Sequence, residues 1–390
     1  MTQIDVDVLI VGGGPAGLAT AAALPQSAKV LVVHQDREIG KPVRTSGGSW
    51  IKDLQALGVP PDLYHPISEI EFRSDKERAL HKLSRHRMAV LDVTGLYRWL
   101  AEAAEWRGCD IRTGVKFLTA KEDGGGYLST LRGRDEGEFT VRSRYVIDAS
   151  GQAHAVVSAL GLGPKPTRQG VGVEYEYELT DGITRRAVLF VGEAVLGGYG
   201  WIFPAPHGRV RIGAGVIHPD VETSPREIME QLITPEFLDS YGLTLGELVH
   251  ANAGILPSVA YDPRLVHGGV IRVGDTANFA TPTVGEGIRQ AIEFGRVLGV
   301  ALGKTLETGN AAPLRRYEKL CARAFKRNYH FGFRANRRIA QYGPAEWDRS
   351  VRRLKRLSEP QMAALLRSEF KLSVLMNSAL TYARRRVFGG

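Results

Sequence analysis

The feature that most constrains this chain is a short strand-like run ending in three glycines. Residues 6–11 are mostly apolar and β-branched, as expected of a buried parallel strand. Gly12-Gly13-Gly14-Pro15-Ala16-Gly17 follows, then an Ala-rich helix over about 16–24 and another apolar run at 30–33. Strand, glycine turn, helix and strand in that order open a doubly wound sheet. Gly12 permits the tight turn, Gly14 lets the backbone approach a pyrophosphate, and Gly17 allows close packing of helix on strand. The start of the helix, at Pro15 and Ala16, offers free N–H groups and a partial positive charge to phosphate oxygens. Gly12, Gly14, Pro15, Ala16 and Gly17 are therefore the expected dinucleotide contacts.

Such turns are normally completed by an acid closing the second strand, where it binds ribose hydroxyls. The expected position holds His34, followed by Gln35 and Asp36. His34 or Asp36 can hydrogen-bond a ribose, and Asp36 is the expected partner. Two further turns follow apolar runs: Asp148-Ala149-Ser150-Gly151, and Gly274-Asp275 with Pro282 and Gly285-Glu286-Gly287-Ile288 opening a helix. Small residues there let backbone contact a flat ring. A carboxylate after the strand can accept hydrogen bonds from a polyhydroxylated chain, and the helix start would favour an anionic reduced ring. Their order points to a flavin dinucleotide, with Asp148, Gly151, Gly274, Asp275, Pro282, Gly285, Gly287 and Ile288 as contacts.

Between these turns the periodicity changes. Val171, Val173, Tyr175 and Tyr177 alternate with Gly172, Glu174 and Glu176, and residues 188–191 and 210–216 are further strands, so an antiparallel region is inserted. A loop is expected over 40–50, a helix over 96–107, a hairpin or loop over 121–140, and a helix over 287–302. The expected fold is α/β, a Rossmann-like doubly wound domain with an inserted antiparallel-sheet substrate domain and a helical C-terminal region. The first comprises residues 1–75, 88–165 and 262–310. The second comprises 76–87 and 166–261, and the third 311–390.

At 390 residues, with 43% hydrophobic and 24% charged side chains, the chain suits two closely packed units and excludes disordered or collagen-like classes. Two cysteines cannot build a disulfide framework or a four-Cys metal site, and no metal-binding spacing is present. The uncharged stretch at 8–28 is broken by glycines and prolines and preceded by acids, unlike a signal or a span. The net charge of +9 is uneven: residues 311–390 carry +14 and the remainder −5. That excess suits solvated helix faces, an anionic membrane surface or an acidic ligand, and no nucleic-acid motif accompanies it. The expected location is the cytoplasm, or peripherally at the inner face of a membrane.

The succession GGGPAG, DASG and VGDTANFATPTVGEGI resembles FAD-dependent enzymes of the p-hydroxybenzoate-hydroxylase-like fold. Tyr199-Gly200-Trp201-Ile202-Phe203-Pro204 is similar to the YxWxFP motif of the geranylgeranyl reductase family, and Gly254 with Pro257 to its Gly-x-x-Pro segment. The resemblance covers residues 4–305. It implies FAD as cofactor and hydrogenation of isolated double bonds in an isoprenoid lipid, quinone or pigment. It also implies an apolar tunnel lined by Tyr199, Trp201 and Phe203, which strand alternation puts on one face. Tyr199, by its location, and the reduced flavin itself are the candidate proton donors. Arg44, Ser46 and Gly47 would lie at the flavin or its phosphates, Ser46 standing where the family often has Cys. NAD(P)H or another external donor would supply electrons transiently. The alternative is a flavin-dependent monooxygenase or halogenase acting on a natural-product intermediate.

Overall fold

The protein is described by a computed structural model covering residues 3–369. A largely parallel sheet forms its first half. Gln3–Val11 lies at the centre, between Gly137–Asp148 and Val30–His34, with Asp110–Thr113 and Val270–Arg272 outside them. Both faces of this sheet are covered: Val8 and Ile10 pack against helices on one side, Leu9 and Val11 against a second cluster on the other. That two-sided burial explains why the run is apolar rather than alternating. Residues 121–140 belong to a three-stranded meander of Val115–Asp123, Gly126–Gly133 and Gly137–Asp148.

Three helices cover one face. Pro15–Ala22 starts at the glycine turn, and Val93–Trp106 is capped by Asp92, whose side chain accepts the Gly95 N–H at 2.9 Å. Ile288–Thr308 lies against Pro15–Ala22 along Gly295 and Gly299, and Gly303 meets Pro25 just beyond it. A Cβ on Gly299 would sit 2.4 Å from the Thr20 carbonyl oxygen, so this contact is open only to glycine.

The second half is a seven-stranded sheet. Its order is Thr244–Pro257, Gln169–Asp181, Arg209–His218, Val195–Ala205, Arg186–Gly192, Glu69–Arg73 and Arg78–Lys82. All pairs are antiparallel except Arg186–Gly192 with Glu69–Arg73. Residues 69–73 thus hydrogen-bond in this sheet, although the sequence reading placed them in the first unit. Gly48–Trp50, inside the expected loop, is a short strand pairing with Met88–Leu91.

The C-terminal helices Ala312–Ile339, Pro344–Leu354 and Glu359–Leu366 are integral to the core. Tyr317 is fully buried, its hydroxyl donating to the Arg272 carbonyl at 2.9 Å. The expected helical stretch from 370 onward lies outside the described residues. Among the described residues no helix is long and apolar enough to cross a membrane.

Candidate functional site

The three turns and the second sheet enclose one cavity of about 820 Å³. Its first corner is the glycine turn. Gly12 adopts φ +121°, and a Cβ there would lie 2.1 Å from the Ala149 carbonyl oxygen. A Cβ on Gly17 would lie 2.1 Å from the Gly12 oxygen. Beside Gly14, by contrast, nothing lies within 4 Å. Gly12 and Gly17 are demanded by the fold, whereas Gly14 faces open space. Gly17 does not line the cavity, so its role is packing and not the cofactor contact expected from sequence.

His34 occupies the end of the second strand. Its Nδ1 accepts the Gly13 N–H at 3.2 Å, and its Nε2 lies 3.3 Å from Asp36. Burial holds the imidazole below its ordinary pKa, which keeps Nδ1 free to accept. Arg44 forms a two-pronged pair with Asp36, at 2.7 and 3.1 Å. His34, Asp36 and Arg44 together border the cavity.

At the second turn the expectation for Asp148 is corrected. Its carboxylate accepts N–H groups from Val156 at 3.0 Å and Val157 at 2.9 Å, and the Ser150 hydroxyl at 2.5 Å. Fully buried and absent from the cavity wall, it anchors the loop, while Ser150 and Gly151 reach the cavity. At the third turn Gly274 adopts φ +71° and Asp275 faces the cavity. No described residue hydrogen-bonds the Asp275 carboxylate, and its crowded surroundings push its pKa up to about 6. Pro282, Gly285, Gly287 and Ile288 complete this corner. Glu286, not singled out from sequence, also lines it and is held by the Ser49 hydroxyl at 3.2 Å and Arg289 at 3.1 Å.

The roof is strand Val195–Ala205, which aligns Tyr199, Trp201 and Phe203 on one face as alternation requires. Ring centroids are 5.8 Å apart for Tyr199–Trp201 and 6.4 Å for Trp201–Phe203. The indole lies over a glycine-paved patch: a Cβ on Gly213 would fall 2.3 Å from its ring, and one on Gly172 3.3 Å. Tyr199 is a weaker proton donor than the sequence suggested. Its hydroxyl donates to the Val284 carbonyl at 2.7 Å, and burial pushes its pKa up to about 12.

A buried polar group supports this roof. Glu174 accepts the Trp201 indole N–H at 2.7 Å and the Asn252 amide at 3.3 Å. Arg211 approaches Glu174 at 3.9 Å and Glu176 at 3.5 Å. It also donates to the Ser46 and Leu91 carbonyls at 2.9 and 3.0 Å. Ser46 and Gly47 thereby sit at the cavity wall, where Arg44 passes so close to Gly254 that a Cβ there would meet the Arg44 carbonyl oxygen at 2.0 Å. Nothing in the spacing of Glu174, Arg211 and Asn252 announced this group. Gly213 and Gly215 did carry a usable signal, a Gly-x-Gly ten residues beyond Phe203.

Open space at Gly14, the unpartnered Asp275 carboxylate and a helix start on either side suit a long anionic dinucleotide with a hydroxylated chain. These residues fit FAD. The pyrophosphate would lie at Gly14 and Pro15, the ribityl hydroxyls at Asp275, and the ring below Trp201. Among the described residues no group of three potential ligands could hold a metal ion.

Comparison with known proteins agrees. The family described as FAD binding domain matches residues 5–331. Digeranylgeranylglycerophospholipid reductase 1 of Methanopyrus kandleri is 27% identical over 331 residues, covering 81% of this chain and 85% of that protein. A geranylgeranyl bacteriochlorophyll reductase-like protein from Thermoplasma acidophilum superposes with TM-score 0.81 at 20% identity, covering 96% of both chains. The p-nitrophenol 4-monooxygenase of Pseudomonas putida superposes with TM-score 0.71 at 18% identity over 98% of both, which shows a shared fold.

Proposed function

The chain belongs to the FAD binding domain family and is a FAD-dependent oxidoreductase, and on that premise we propose that it hydrogenates isolated carbon–carbon double bonds of an isoprenoid substrate. The observation that carries this reading is the aromatic row Tyr199, Trp201 and Phe203. It roofs a cavity walled by apolar side chains such as Val171, Leu189, Val216 and Leu256. An isoprenoid chain offers no polar handle, so a site for it must select by shape and contact.

FAD, when bound and reduced, would supply hydride chemistry at this site. The chain's own residues position the alkene, keep water out and hold the site rigid. Trp201 cannot rotate without losing its bond to Glu174, and Tyr199 is pinned to the Val284 carbonyl. Neither the Tyr199 hydroxyl nor the Trp201 indole hydrogen is free for delivery, so neither side chain supplies the single proton that balances the hydride. Electrons would come from a transient external donor such as NAD(P)H. The names of the Methanopyrus and Thermoplasma proteins support the substrate class.

The test is anaerobic incubation of the dithionite-reduced, FAD-loaded protein with prenyl lipids, followed by mass analysis. The expected result is a gain of one H2 per reduced double bond. Inertness towards every prenyl lipid, with oxygen-dependent insertion of one oxygen atom or halide into an aromatic compound, would overturn it in favour of a monooxygenase or halogenase.

A further inference from the structure

The helix Ala312–Ile339 has two sides of opposite character. Leu314, Tyr317, Cys321, Phe325 and Tyr329 are buried in the core. The opposite side carries nine Lys and Arg residues between Arg315 and Arg338, all exposed. None pairs with a carboxylate among the described residues, and residues 370–390 contain no Asp or Glu. The helix's single acid, Glu318, accepts the Leu265 and Val266 N–H groups at 2.8 and 2.9 Å. The next helix differs: Arg352 and Lys355 both pair with Glu77, and Arg349 with Glu346.

Like charges three and four residues apart repel, so the stripe lowers the stability of its own helix and contributes nothing to the core. At 1.5 Å per residue it is a straight row about 35 Å long. Leu320 and Phe331 are exposed at 40% and 44% beside it. Leu320, Arg327, Phe331 and Arg338 follow at intervals of seven, four and seven residues, forming one edge on which apolar and cationic side chains alternate. The cavity side of the same segment presents Phe333, Asn336, Ile339 and Ala340.

We propose that the outer face of Ala312–Ile339 docks on an anionic lipid bilayer. The cations meet headgroup phosphates while Leu320 and Phe331 enter between them, an arrangement typical of interfacial helices. That apolar edge favours lipid over nucleic acid or an acidic protein. The helix is then one wall shared by bilayer and cavity. Only that last link rests on the isoprenoid reading; the docking rests on the charge pattern and the exposed apolar edge.

The test is flotation of the full-length, FAD-loaded protein with phosphatidylcholine vesicles, with and without phosphatidylglycerol. Binding is expected only with phosphatidylglycerol and to fall with added salt. The variant R316Q/R323Q/R327Q/R334Q should partition about a thousandfold more weakly. Four cations removed elsewhere, K82Q/R107Q/R226Q/K304Q, should cost less than about threefold. Retained FAD in each variant certifies folding. L320A/F331A should weaken flotation yet leave retention on heparin unchanged. Equal losses in both charge variants, equal flotation with neutral vesicles, or unaltered flotation of L320A/F331A would overturn the proposal. Flotation needs no substrate, so its outcome and that of the reductase assay are independent.

Discussion

The indole nitrogen of Trp201 donates to Glu174 at 2.7 Å, and both side chains are more than nine-tenths buried. A charged acceptor makes this a strong bond, and Asn252 and Arg211 complete its surroundings. Removing one partner of such a group strands the others. Glu174→Ala should lower unfolding free energy by about 3 kcal/mol, since it deprives a buried guanidinium of a carboxylate. Trp201→Phe removes a neutral donor and should cost about 1–3 kcal/mol. Denaturant titration of the two variants checks this, and the reverse order would show that Arg211 is satisfied by Glu176 alone.

Glycines at the roof separate stability from shape. A Cβ on Gly213 would lie 2.3 Å from the Trp201 ring and must displace it, whereas one on Gly172 lies 3.3 Å away. Gly213→Ala should cost about 1–3 kcal/mol through overpacking and alter the near-ultraviolet dichroism of the indole. Gly172→Ala should do much less of both. Identical spectra for the two variants would mean that the indole does not rest on Gly213.

At the nucleotide turn the contrast reverses. Gly14 has extended backbone and empty space where its Cβ would go, while Gly17 has none. Gly14→Val should fold with wild-type stability but lose FAD affinity by tenfold or more, about 1.4 kcal/mol, because its side chain fills the pyrophosphate path. Gly17→Val should fail to fold. FAD titration by flavin fluorescence, paired with thermal melts, decides it, and undiminished affinity in Gly14→Val would move the pyrophosphate elsewhere.

Asp275 gives the FAD site a pH dependence. Folding raises its pKa from 3.8 to about 6, so the folded state holds the proton more tightly than the unfolded state. Stability of the FAD-free protein should therefore fall as pH rises through that window, by at most about 3 kcal/mol. Hydroxyl donors from the ribityl chain favour the ionised form, so FAD affinity should rise over the same window. Asp275→Asn should flatten both profiles and bind FAD more weakly. A flat wild-type affinity profile would separate Asp275 from the ribityl chain.

What could be read from sequence and what could not divides along physical lines. The turn at 12–17 and the row Tyr199, Trp201 and Phe203 were legible because each is local: neighbours in sequence are neighbours in space, and strand or helix periodicity orders them. Glu174, Arg211 and Asn252 were not, because their contacts join strands 27 to 78 residues apart and a buried charge leaves no periodic trace. Asp148 shows the opposite error. An acid after a strand beside a glycine turn looked like a ligand, and only its four hydrogen bonds show it holding up the next helix. The strand Glu69–Arg73 carries no mark of which sheet it joins, since its partner Arg186–Gly192 lies more than a hundred residues later.

Arg211 belongs to the antiparallel sheet yet gives two of its hydrogens to the main chain at Ser46 and Leu91. A modular exchange that paired this sheet with a foreign nucleotide-binding half would leave that cation facing the wrong loop. Separating the halves would strip two acceptors from a buried cation, so each half completes the polar interior of the other.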